Sequence, residues 1–145
     1  MAIDFVNEIT IQRPPAEVFA FVTDPQRLPE WQPLVVEVEV LGGGPLREGS
    51  VVREVRRLRG RRLEQTVEVA AYDPPRRFAM KILDGPVPVD GDLTFSEAGG
   101  GGTRVRLHAH GSAPRRLRLL EPLLKPVMAR EMRKQYARLK AVLEA

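Results

Sequence analysis

The feature that most constrains the fold is an alternation of apolar and polar side chains that recurs in seven segments. In residues 3–12, Ile3, Phe5, Ile9 and Ile11 occupy alternate positions, as one face of a half-buried strand requires. The other six segments are residues 34–40, 50–58, 61–72, 78–82, 89–95 and 105–109. Glycine- and proline-rich turns separate them. The pattern therefore predicts an antiparallel meander with one solvent-exposed face and one buried face, the dry face.

Helical patterns occupy two places in the chain. Pro14-Pro15 ends the first strand and opens a short helix over residues 15–22, and a second short helical segment runs from Asp24-Pro25 to about Trp31. From residue 115 onward, apolar residues recur at spacings of three and four with charges between them, which predicts the helix that covers the dry face. Because Pro122 and Pro126 interrupt its first third, the main helix is predicted over about 126–144.

These elements predict an α+β helix-grip fold. A seven-stranded curved antiparallel sheet surrounds a long C-terminal helix, and two short helices lie between strands 1 and 2. With 145 residues, 43% of them hydrophobic, the chain is expected to form one domain over residues 1–145. It has no cysteine, which excludes disulfides and thiol nucleophiles. With no signal-peptide pattern and no apolar run of ~18 residues, a cytoplasmic location is expected.

Several short motifs add to this pattern. They are Pro14–Phe19, Asp24-Pro25 with Trp31 and Pro33, Gly49, Tyr72–Phe78, and Leu139-Lys140 with Leu143-Glu144. Together with the element order, they resemble the START-like superfamily, also called SRPBCC, which includes polyketide cyclases and dehydrases and plant pathogenesis-related allergens. The resemblance implies a cavity between the concave sheet and the long helix. It implies no catalytic residue, because none is shared across these proteins.

The walls of such a cavity are expected to be largely apolar. The candidates are Trp31, Leu63, Val67, Phe78, Met80, Ile82, Leu93 and Phe95 before the final helix, and Leu124, Val127, Met128 and Met132 on it. Methionines suit a pocket that accepts variable shapes. The alternative is that these side chains fill one another and leave a closed core.

Some polar residues lie in the dry phase of a strand, that is, at positions whose side chains point to the buried face. They are candidates for orienting a ligand, because a buried polar group needs a hydrogen-bond partner. Asn7 and Gln65 lie in this phase. If Val55 pairs with Leu63, Arg53 faces Gln65 and its guanidinium can grip a ligand carboxylate. Gln135 and Tyr136 of the helix would complete the polar end. A register shifted by one residue would instead turn Arg53 to solvent.

No catalytic or metal-binding constellation is predicted. His108 and His110 lie near Asp90 and Asp92 of the neighbouring strand, but Val105, Leu107 and Ala109 occupy the dry phase, so the histidines should face solvent. By the same criterion, no carboxylate or histidine falls in the dry phase as a proton carrier. The glycines at 42–44 and 99–102 do not open helices, which excludes phosphate-binding loops. No cofactor is predicted.

The favoured functional hypothesis is binding or carriage of a small hydrophobic ligand, such as a lipid-, polyketide- or aromatic-like molecule. One alternative is a polyketide cyclase- or dehydratase-like enzyme. A second is a partner-binding module that uses the Arg53–Arg62 hairpin, motivated by the net charge of +4. Nucleic acid is a disfavoured partner because this hairpin contains no aromatic residue. Monomer and homodimer both stay open.

Overall fold

A computed structural model describes residues 3–86, 89–111 and 115–145. Its strands are β1 (Ile3–Ile11), β2 (Val35–Val40), β3 (Val51–Leu58), β4 (Arg61–Asp73), β5 (Arg77–Asp84), β6 (Val89–Ala98) and β7 (Gly102–Gly111). Its α-helices are α1 (Pro15–Val22), α2 (Leu28–Trp31) and α3 (Glu121–Glu144). Three 3₁₀ segments, Pro25–Arg27, Gly99–Gly101 and Arg115–Leu120, precede α2, β7 and α3. No helix in the described ranges combines the length and hydrophobicity that a membrane crossing requires.

All seven strands form one antiparallel sheet in the order β1-β7-β6-β5-β4-β3-β2. Strands β2 to β7 follow one another as a meander, and β1 joins the far edge beside β7. The register aligns apolar side chains in rows across the sheet, such as Ile9 with Val105 and Phe95. This architecture confirms the predicted helix-grip fold, including the long C-terminal helix and the short helices between β1 and β2.

The C-terminal half of α3 is anchored to β1. Leu139 and Leu143 of α3 are buried in the same core as Ile11. Polar contacts hold the end of the helix, because Lys140 Nζ donates to the Thr10 carbonyl oxygen over 2.6 Å and Glu144 accepts from the Gln12 backbone N–H over 2.7 Å. The helix therefore covers the β1 side of the concave face.

The predicted start of this helix at about Pro126 is wrong, because α3 begins at Glu121. Pro122 lies in the first turn, where a missing backbone N–H costs nothing. Pro126 lies inside the helix and cannot donate to the Pro122 carbonyl four residues earlier. Both prolines are exposed, so water can satisfy that carbonyl and the helix continues through the proline.

The outer face of β7 carries the two histidines, as predicted. His108 lies opposite Asp92 and His110 opposite Asp90 in the β6–β7 register. The aspartates do not bond to them: Asp92 pairs with Arg77 over 2.7 Å, while His108 Nε2 lies 3.1 Å from Asp4 Oδ1. These are exposed or half-buried contacts outside the concave face.

Candidate functional site

A cavity of about 140 Å³ lies between the concave face of the sheet, α2 and the middle of α3. Each strand contributes alternate residues, because successive side chains point to opposite faces. The lining from the sheet comprises Val38 of β2, Val52, Glu54 and Arg56 of β3, Gln65, Val67 and Val69 of β4, Phe78, Met80 and Ile82 of β5, Val89, Asp90, Gly91 and Leu93 of β6, and Leu107 and Ala109 of β7. Leu28 and Trp31 of α2 and Met132 and Tyr136 of α3 face them.

Nine of the predicted site residues line this cavity together. They are Trp31, Gln65, Val67, Phe78, Met80, Ile82, Leu93, Met132 and Tyr136. The sheet members follow from two-residue periodicity, and the two members on α3 follow from a spacing of four. The cavity also has walls that the sequence interpretation omitted, among them Glu54, Arg56 and the small residue Gly91.

Besides Arg53, which is described below, three predicted residues of the sheet lie outside the cavity. Phe95 packs edge-to-face against Phe19 of α1, with ring centroids 5.2 Å apart, so it belongs to the solid core at one end of the sheet. Leu63 lies nearer the β3–β4 turn, opposite Arg56. Asn7 lies on β1, the strand against which α3 packs, so the helix takes the place of a cavity there.

Four predicted residues of the helix also lie outside. Val127 is exposed and Leu124 and Met128 are half-buried in the part of α3 that precedes Met132. Gln135 is buried beside Tyr136, and its Oε1 accepts no hydrogen bond from the described residues. Of the helix candidates, only Met132 and Tyr136 line the cavity.

Arg53 does not face the cavity, because the β3–β4 register is shifted by one residue from the pairing that would turn it inward, which is the alternative that the sequence left open. Val55 pairs with Glu64 rather than Leu63. Arg53 therefore lies on the opposite face, where it bonds to Glu64 and its Nη1 lies 3.6 Å from Glu37. The turn between the strands carried the signal for this register. Arg59 and Gly60, both with positive φ, form a two-residue hairpin loop. Such a loop pairs Leu58 with Arg61, and this pair sets every later pair of the two strands.

The corrected register places Glu54 in the cavity wall, which overturns the prediction that no carboxylate lies in the dry phase. Only 6% of Glu54 is exposed. Its Oε1 accepts hydrogen bonds from Arg56 Nη2 and Gln65 Nε2, each over 3.0 Å. Arg56 Nη2 also donates to Gln32 Oε1 over 2.8 Å. We call Gln32, Glu54, Arg56 and Gln65 the polar cluster. All four line the cavity.

An aromatic pair on α2 and α3 adjoins the polar cluster. The Trp31 and Tyr136 rings both line the cavity, with centroids 5.2 Å apart. Burial raises the pKa of the Tyr136 phenol well above its ordinary value, while the positive charge of Arg56 acts in the opposite direction. The phenol is therefore neutral at physiological pH. The Trp31 indole N–H is buried and donates to no group in the described residues.

The chemistry of the site follows from these contacts. Apolar walls favour an apolar ligand by desolvation, and the polar cluster offers one directional region on the β3–β4 side. Glu54 and Arg56 form an ion pair, so the cluster has no net charge. Within the described residues, no group of three or more histidine, aspartate or glutamate side chains is placed to hold a metal ion.

Comparison with known proteins gives one family and a set of similar folds. The family model described as polyketide cyclase / dehydrase and lipid transport matches residues 2–144. A START superfamily protein from Mycobacterium smegmatis superposes with a TM-score of 0.78 at 14% identity, covering 97% of each chain. A protein from Thermus thermophilus superposes with a TM-score of 0.77 at 22% identity, covering 95% of this chain and 94% of that one.

A third similar structure is the di-domain ARO/CYC BexL from the BE-7585A biosynthetic pathway. It superposes with a TM-score of 0.80 at 18% identity, and the match covers 99% of this chain and 50% of that one. At these identities the likeness concerns the fold alone. The search of curated proteins found no match.

Proposed function

Because the chain belongs to the polyketide cyclase / dehydrase and lipid transport family, we propose that it binds a small, largely apolar molecule in the cavity between the sheet and α3. The observation that carries this proposal is the unfilled volume of about 140 Å³ behind apolar walls. An engineered apolar cavity of about 150 Å³ accommodates benzene. The cavity therefore has room for one six-membered ring without rearrangement.

Burial of apolar surface supplies the affinity, at about 25 cal/mol per Å² removed from water. The Met80 and Met132 side chains line opposite walls and can repack around ligands of different outline. The polar cluster orients the ligand. A ligand in the opposite orientation would leave the buried hydrogen-bonding groups of the cluster without partners, which costs free energy. This division between apolar affinity and polar orientation is typical of small-molecule pockets.

Filling the cavity with a side chain tests the proposal. Gly91 has an ordinary backbone conformation, and an added Cβ would lie 3.4 Å from Leu107 Cδ1 and 3.8 Å from Met80 Cε, both cavity-lining atoms. We expect toluene to raise the melting temperature of the wild-type protein, since a ligand that binds only the folded state stabilises it. In Gly91→Val the shift should largely disappear.

Gly99→Ala is the matched control, because no atom lies within 4 Å of an added Cβ at that exposed turn. It should retain the wild-type shift. Native mass spectrometry of the protein purified from its own host, with extraction of any bound molecule, identifies the natural ligand. A protein that is empty and gains no stability from toluene would contradict the proposal.

A second candidate function is a cyclase- or dehydratase-like reaction in the same cavity. The observation that favours it is Glu54, a buried carboxylate in the cavity wall, since carboxylates in such positions serve as general acids or bases. Under this candidate, Glu54→Gln retains ligand binding and abolishes turnover of a polyketide-like thioester. Loss of both together would favour simple binding.

The alternative of a partner-binding module that uses the Arg53–Arg62 hairpin has weaker support. Of its arginines, Arg53, Arg56 and Arg62 each pair with a carboxylate of the sheet. Their charge is thus neutralised locally, and less of it is available for an anionic partner. Salt-dependent binding of a macromolecule that is lost in an Arg57→Gln and Arg61→Gln double variant would restore this alternative.

A further inference from the structure

We propose that the ligand is uncharged and presents a hydroxyl group to the Glu54 carboxylate. This inference rests on the proposed function and names the chemical class of the ligand. The Glu54 carboxylate can accept about four hydrogen bonds. Its Oε1 accepts from Arg56 and Gln65, and its Oε2 accepts none from the described residues. A buried carboxylate with unused acceptor capacity favours a ligand that donates.

The charge balance of the polar cluster selects against ionic ligands. Arg56 lies 3.0 Å from Glu54, so its positive charge is already matched. A ligand carboxylate would have to compete with Glu54 for Arg56 while lying next to the Glu54 charge, and like charges repel strongly in a poorly hydrated site. A ligand ammonium beside the polar cluster would meet the positive charge of Arg56. The two further carboxylates of the lining, Asp24 and Asp90, already accept from the backbone N–H groups of Gln26 and Ile82. A hydroxyl adds a donor without adding charge.

The Trp31–Tyr136 pair and the small volume of the cavity narrow the chemical class of the ligand further. Trp31 and Tyr136 supply two ring surfaces beside the polar cluster, suited to edge or offset contacts with another ring. A volume of about 140 Å³ holds one ring, so the rest of a larger ligand would have to lie outside the cavity. The geometry thus points to a monocyclic phenol-like molecule, or to the hydroxylated terminal ring of a larger one that extends through the mouth.

A matched ligand series tests this class. We would titrate the protein at pH 7 with toluene, 4-methylphenol, 4-methylbenzoate and 4-methylbenzamide, using calorimetry or ligand-observed NMR. The amide is the neutral size control for the benzoate. We expect 4-methylphenol to bind about tenfold more tightly than toluene, as a hydrogen bond to a buried charge allows. The benzoate should bind more weakly than the amide.

Glu54→Gln provides the discriminating variant, because it keeps the side-chain size and frees Arg56 from its ion pair. The phenol should lose most of its advantage over toluene, and the benzoate should gain relative to the amide. Circular dichroism and a melting curve check that the variant folds. If it does not, the wild-type series alone decides.

The outcomes separate the two proposals. Binding of toluene without any preference for the phenol, or a benzoate that binds as tightly as the phenol, overturns the hydroxyl inference and leaves the cavity proposal standing. Failure of all four ligands to bind contradicts the cavity proposal itself. A phenol preference that survives unchanged in Glu54→Gln also overturns the inference, since another group would then be the acceptor.

A second inference comes from a different surface. The 3₁₀ segment and the first turns of α3 carry an apolar stripe that nothing in the described residues covers: Leu119 is 95% exposed, Leu123 67% and Val127 59%. Exposed basic residues flank the stripe, namely Arg115, Arg116, Arg118, Lys125 and Arg130. The only acidic residue in 115–130, Glu121, is buried.

We infer that this basic amphipathic segment docks on a membrane surface that contains anionic lipids. Apolar side chains flanked by arginine and lysine are typical of interfacial helices, in which the apolar face enters the headgroup boundary and the cations bind anionic lipid. The charge argues against a second copy of the chain, because two such segments would bring like charges together. The apolar stripe argues against nucleic acid, whose phosphates would leave the leucines exposed.

Vesicle co-sedimentation tests this surface. The protein should bind vesicles of phosphatidylcholine with phosphatidylglycerol, bind pure phosphatidylcholine at least tenfold more weakly, and lose binding as salt rises. Leu123→Glu should reduce binding at least tenfold, whereas Ala137→Glu, on an exposed position of α3 beyond the stripe, should reduce it much less. Absence of vesicle binding, or a concentration-dependent dimer that Leu123→Glu disrupts, would overturn the inference.

Discussion

Replacing Arg56 by methionine should destabilise the protein by about 2–3 kcal/mol, because it leaves Glu54 buried without its cation. Methionine keeps much of the aliphatic stem in the cavity wall and removes the guanidinium that donates to Glu54 over 3.0 Å and to Gln32 over 2.8 Å. Removing one partner of a fully buried ion pair typically costs about 3–5 kcal/mol. The Arg56 side chain is 25% exposed, so the pair is partly hydrated and the loss should be smaller.

The assay is urea unfolding followed by fluorescence of Trp31, the only tryptophan, which is 2% exposed and so reports on the core. For a chain of this size, a loss of about 2–3 kcal/mol corresponds to a fall in Tm of about 6–9 °C. Arg62→Met is the surface control, because Arg62 pairs with Glu37 where both side chains are about half exposed. That control should change stability little.

The double variant Glu54→Leu with Arg56→Met separates a buried charge from simple loss of contacts. Replacing both members of a buried ion pair by apolar residues is often neutral, so we expect stability within about 1 kcal/mol of wild type. The double variant should thus be more stable than Arg56→Met alone. Two results would refute the reasoning, because either would mean that Glu54 is not desolvated. In the first, Arg56→Met unfolds at the same urea concentration as the wild type. In the second, the double variant is no more stable than Arg56→Met alone.

Three further predictions concern the core. Burial raises the pKa of Tyr136, so stability should be full below about pH 10, the pKa of tyrosine in the unfolded chain, and fall above it as the unfolded state releases the proton. Tyr136→Phe should flatten that alkaline decline in urea unfolding. Leu139→Ala, at a fully buried position, should cost about 3 kcal/mol, whereas the exposed Leu119→Ala should change thermal stability little. Thr103→Val removes the 2.7 Å hydrogen bond to the Arg13 carbonyl oxygen and should lower the free energy of unfolding by about 1 kcal/mol.

The agreement between prediction and structure was greatest where the signal is local. Met80, Ile82 and Leu93 were assigned to the cavity by two-residue periodicity, and Met132 and Tyr136 by helical spacing. Periodicity identifies the face of an element, but it does not show how far along that face a neighbouring element extends. Phe95 and Leu124 lie in the predicted phase yet outside the cavity, because Phe95 packs against Phe19 of α1 and Leu124 precedes Met132, the first residue of α3 that lines the cavity.

By itself, the amino-acid sequence determined the element order, the helix-grip fold and the apolar character of the concave face, because these depend on the local preferences of each segment and on its pattern of burial. Tertiary structure decided which polar residues enter the cavity. A shift of one residue between β3 and β4 exchanges Arg53 for Glu54, and the pleat then turns every side chain of the strand to the other face. The wall therefore holds the Glu54–Arg56 ion pair rather than the Arg53 guanidinium. The alternation within each strand does not fix this choice, because it depends on how the turn at Arg59-Gly60 aligns the two strands.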